Sequence, residues 1–73
     1  MMGIMLEPLA VRVYAARRAA VEQRLIGAGM PQDVAEEWLA AWEAHAAEVG
    51  LDRDARDFWQ QADAWIAATR RRR

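Results

Sequence analysis

His45, Tyr14 and Thr69 are the only histidine, tyrosine and threonine in this chain, and serine, cysteine and lysine are absent. Covalent catalysis needs a hydroxyl, thiol or amine that a neighbouring base can activate. That inventory excludes a Ser or Cys triad, Schiff-base chemistry and a P-loop lysine, and Gly27 and Gly29 lack the strand that precedes a phosphate-cradling loop. His45 has Glu48 three residues on, within reach on a helix. Two ligands from one helix do not close a tetrahedral metal site, although a symmetric dimer would supply four. The plainer reading is a half-buried histidine satisfied by a carbonyl or an acid. We therefore expect no enzyme, no cofactor, no metal and no small-molecule substrate.

The charged residues offer two further candidates. Asp33, Glu36 and Glu37 could form a carboxylate pair, but acids at the start of a helix more often complement its positive end. Together with Glu43 and Glu48 they form a run of five acids from residue 30 to residue 50 without one arginine or lysine. Such a face, with Asp33, Glu36, Glu37 and Glu43 as candidate contacts, suits an arginine-rich protein surface or another copy of the chain. At the other end Arg70, Arg71, Arg72 and Arg73 could grip phosphates by bidentate contacts and counterion release. No aromatic residue interleaves that run and the chain as a whole carries a formal net charge of −1. A solvated tail that keeps the protein dispersed is the simpler reading, so a nucleic-acid partner ranks second to a protein partner.

Three helices must position these groups. Pro8 suits a first turn and Gly27 and Gly29 mark a stop, which predicts helix one at about 8–26. At 100° per residue it is apolar on two sides: Val11, Tyr14, Val21 and Leu25 interrupted by Arg18, and Leu6, Leu9, Val13 and Ala20. The turn from Gly27 to Pro31 leads to helix two at about 31–49, with Val34, Trp38, Ala41, Trp42, His45 and Val49 as its expected apolar stripe. Gly50 is a suitable C′ residue, and Asp52 or Asp54 could cap a third helix at about 54–70. One face would carry Ala55, Phe58, Trp59, Ala62, Trp65, Ile66 and Thr69. A helix-turn-helix use of helices one and two is opposed by charge, because helix two would present Asp33, Glu36 and Glu37 to the phosphate backbone.

With 73 residues and no cysteine the chain has room for one domain and no disulfide framework. A core of this size is marginal, since a domain of about 60 residues buries only about 60% of its unfolded surface. Four tryptophans, Trp38, Trp42, Trp59 and Trp65, compensate with large rigid apolar area. Much of the 55% hydrophobic content is alanine, which favours helix and buries little. The use of arginine without lysine fits a GC-rich genome, such as that of an actinobacterium or its phages. The start MMGIML lacks a charged n-region and is broken by Glu7 and Pro8, so no signal peptide is expected. No run approaches the ~20 apolar residues that cross a bilayer, so no membrane partner is expected and the cytoplasm is the expected compartment.

The stretch LIGAGMPQDVAEEWLAAW, Leu25 to Trp42, resembles the Gly-Met turn and following helix of a ubiquitin-associated domain through Gly29, Met30 and Ala35. That family is a compact three-helix binding module, and its first helix is shorter than the one read here. WEAHAAEVGLDRDARDFW is similar to small helical proteins of actinobacteria and their phages.

The resulting expectation is an all-α, compact three-helix domain over residues 1–73 with a Trp-rich core. Residues 1–7 are read as a flexible or partner-docking segment and residues 70–73 as a fraying tail. Packing the faces of helices two and three against helix one leaves Leu6, Leu9 and Val13 partly uncovered, and an uncovered apolar strip on a small domain points to a partner. The expected function is a protein–protein interaction module, as a homo-oligomer (a homodimer being one form) or as an accessory or regulatory subunit. The alternative is a nucleic-acid-associated protein using the arginine cluster.

Overall fold

The computed structural model describes residues 8–72 as three α-helices in order: α1 (Leu9–Gly27), α2 (Gln32–Val49) and α3 (Phe58–Arg71). No strand occurs among the described residues. Pro8 and Pro31 each sit just before a helix in extended backbone, and their carbonyls accept the first helical bonds, from Arg12 N–H and from Ala35 N–H.

Two glycines stop α1 and α2 in the same way. At the end of α1, Gly29 takes φ +104°, its N–H donates to the Ile26 carbonyl, and Met30 N–H reaches back to the Leu25 carbonyl. At the end of α2, Gly50 takes φ +77°, its N–H donates to the Ala47 carbonyl, and Leu51 N–H donates to the Ala46 carbonyl. Both are Schellman closures, in which a left-handed C′ residue turns the next N–H onto a carbonyl the helix leaves unsatisfied.

The third helix begins at Phe58, later than the 54 read from the sequence. Asp52 does not cap a helix there: its Oδ1 accepts the Asp54 N–H and its carbonyl accepts the Ala55 N–H, which holds the chain in a turn. Short acidic side chains compete with helical bonding in this way. Phe58 N–H then donates to the Ala55 carbonyl, and the first α-helical bond runs from Gln61 N–H to the Asp57 carbonyl.

The core gathers Val21 of α1, Leu39, Trp42 and Ala46 of α2, and Phe58, Trp59, Ala62 and Ile66 of α3. Trp42 and Trp59 are buried, whereas Trp38 and Trp65 lie half-buried against the cluster. The Phe58 ring stands 5.3 Å from both Trp42 and Trp59, and Tyr14 closes the set at 5.3 Å from Trp59. Tilted and edge-on pairs at such separations add to plain area burial. The Nε1 donors of Trp42 and Trp59 are buried and find no acceptor among the described residues. Each orphaned donor offsets part of what its ring contributes.

The expected apolar stripe of α2 is rotated. Its buried positions are Ala35, Leu39, Trp42 and Ala46, while Ala41 is exposed and Val49 is 56% exposed. Alanines surround this helix, so the periodicity of apolar residues does not single out one face. Leu39 and Trp42, packed against Val21 and Phe58, set the face. On α1, Val11 is likewise 47% exposed, although the sequence places it on the core stripe.

Candidate functional site

A half-buried arginine on the inner side of α1, Arg18, organises the polar chemistry of the fold. Arg18 interrupts the apolar stripe of Tyr14, Val21 and Leu25, and α2 meets it with two acids. The Arg18 Nε donates to Glu43 Oε1 at 3.2 Å, and its terminal nitrogen lies 3.6 Å from Glu36 Oε2. The Tyr14 hydroxyl donates to the other oxygen of Glu43. Burial, reinforced by Glu43, pushes the Tyr14 phenol up to about 12. Burial works against the Arg18 charge, yet Glu43 and Glu36 more than offset it and hold its proton tighter than usual. Beside them, the Glu22 carboxyl is raised, first by its hydrogen bond with Glu36 and then by burial.

The acidic run of α2 is therefore not one face. Glu36 and Glu43 turn toward α1, so the expectation of five acids without a counter-charge is corrected at these two: both share Arg18 as a partner across the helix pair. Asp33, Glu37 and Glu48 remain exposed on the outer side of α2 with no ion pair among the described residues. A cation inside an apolar stripe, facing acids seven residues apart on the next helix, is the sequence signal that could have identified this network.

His45 is half-buried and stacked on Trp65, with ring centroids 5.0 Å apart and planes inclined by 23°. Among the described residues no cluster of three His, Cys, Asp or Glu side chains could hold a metal ion. Arg70, Arg71 and Arg72 extend from the end of α3, exposed. Arg73 and Leu6 lie outside the described residues, as does the segment 1–7.

The apolar strip of α1 borders a groove. Leu9 is 74% exposed and Val13 half-buried. They line a depression of about 260 Å³ between the first half of α1 and the turn that precedes α3, closed on the far side by Arg53 and Asp54. The Arg53 guanidinium lies over the Tyr14 ring, 4.4 Å from its centroid, a cation–π contact that ties this turn to α1. Farther along, Arg17 and Ala20 face Arg56 and Gln60 across a second depression of about 190 Å³. Arg24, at its edge, is paired with Asp63. The sequence reading located Leu9 and Val13 but not Arg53 and Arg56, which come from a turn more than thirty positions away and carry no motif of their own.

No helix among the described residues is long and apolar enough to cross a membrane. No protein-family model, curated protein or solved structure matches the chain.

Proposed function

We propose that this chain is a small non-enzymatic protein–protein interaction module whose docking surface is the first half of α1 with its adjoining groove. The observation that carries the reading is the exposure of Leu9 and Val11, at 74% and 47%, beside that groove. Isolated apolar side chains on a surface are ordinary, whereas apolar side chains flanking a rimmed depression mark a contact surface. The groove chemistry supports binding over catalysis. Its phenol, Tyr14, is held protonated up to about pH 12 and is bonded to Glu43, and a useful acid or base has its pKa near the working pH. The rival use is phosphate binding by Arg70, Arg71 and Arg72, which extend from the end of α3.

The test is capture of partners from a host lysate by tagged protein, with and without nuclease, beside a Leu9→Glu variant whose helicity is checked by circular dichroism. The expected result is a discrete protein that survives nuclease and is lost with Leu9→Glu. Loss of every partner after nuclease would transfer the function to the arginine cluster. Capture indifferent to Leu9→Glu would remove α1 as the surface.

A further inference from the structure

Two surfaces of this chain that have no counterpart inside the fold are complementary to each other. The first is the groove between α1 and the start of α3. Its apolar part is Leu9 and Val13, and its rim carries Arg17, Arg53 and Arg56, none with a carboxylate at ion-pair distance among the described residues. Asp54 is the one acid that lines it. Arg17 borders both depressions, which follow one another along α1 and together make up a basic trough.

The second surface is the outer side of α2. Glu37, Ala40, Ala41, Ala44 and Glu48 share it, and all are exposed. No arginine or lysine stands on this helix. Alanine lets a helix axis approach closely, which a shallow trough requires, because a larger side chain at Ala44 would hold the helix off the floor.

We propose that the trough of one copy receives the outer face of α2 from a second copy, its alanines over Leu9 and Val13 and its acids against the rim arginines. This rests on the interaction-module reading and names the partner. A symmetric pairing of two troughs is disfavoured because it opposes arginines to arginines. The two surfaces differ in residues and in charge. The contact is therefore heterologous, and each copy offers a free surface to the next, giving a ring or a chain.

The experiment is sedimentation and light scattering of the full chain over a concentration series, in low and high salt. Two variants accompany it: Arg17→Glu with Arg56→Glu in the trough, and Ala44→Tyr on α2, each checked by circular dichroism. The wild type is expected to rise above its 8.3 kDa monomer mass with concentration. It should return toward the monomer in high salt, where screening shortens from about 10 Å at 0.1 M to about 3 Å at 1 M. Each variant alone is expected to stay monomeric. Mixed in equal amounts they should form a complex of twice the monomer mass and stop there, because one intact trough and one intact α2 face remain. A wild type that is monomeric throughout, variants that assemble as it does, or a mixture that fails to pair would each overturn the proposal. A monomeric wild type would leave the lysate capture to decide the interaction reading on its own, since a foreign partner would still be lost with Leu9→Glu.

Discussion

The face that α2 buries can be decided by two truncations. Leu39 is fully buried among Val21, Trp42, Phe58 and Ile66, whereas Val49, which the apolar periodicity assigns to the same core, is 56% exposed. Removing a buried leucine to alanine costs about 2–5 kcal/mol, the transfer term plus the cavity that rigid neighbours leave open. At about 0.05–0.15 kcal/mol per residue, a chain of this length has a total stability on the order of 4–11 kcal/mol. Leu39→Ala therefore removes a large share of it. With a shift of about 4–8 °C per kcal/mol for a domain of this size, the melting temperature should fall on the order of 8–40 °C. Val49→Ala, at a position largely in water, should stay within about 0.5 kcal/mol of the wild type. Urea unfolding followed by tryptophan fluorescence and by circular dichroism gives both values by linear extrapolation. Equal costs at the two positions, or a larger one at Val49, would refute the assignment of the Ala35, Leu39, Trp42 and Ala46 stripe to the core.

Three further outcomes follow from the polar network and the turns. Glu43→Gln, which weakens the Tyr14 and Arg18 bonds, should destabilise by about 1–3 kcal/mol, while Glu37→Gln on the outer face should be near neutral in the same melts. Tyr14 should titrate spectroscopically near 12 when folded and near 10 in denaturant. Because the folded state holds that proton more tightly, its contribution is complete below pH 10 and is lost as pH rises through about 12; a folded midpoint near 10 would count against the half-buried bond to Glu43. Gly50→Ala, at φ +77° with open space around the position, should cost about 1 kcal/mol from backbone strain alone, and an unchanged melt would refute the left-handed closure.

Glu43 illustrates why the candidate site was only half legible. Its type and helical position are plain in the sequence, and so is the oddity of Arg18 in an apolar stripe. That the two meet depends on how α1 and α2 are set side by side. The trough has the same character: Leu9 and Val13 stand out by periodicity on one helix, but the arginines that make it basic come from a turn whose path depends on the Asp52 bonds and the Arg53–Tyr14 contact.

By itself the sequence determined what local chemistry controls. Helix propensity, two prolines before helices and two glycines after them yield three helices and their closures, and the missing serine, cysteine and lysine remove whole classes of catalysis. Only the tertiary structure decided which side of α2 is buried, which acids are paired and where α1 stays open. Alanines on both the buried and the exposed side of α2 blur the edge of its apolar face. The choice falls to the packing of Leu39 and Trp42 against Phe58 and Val21, contacts between residues far apart in the chain.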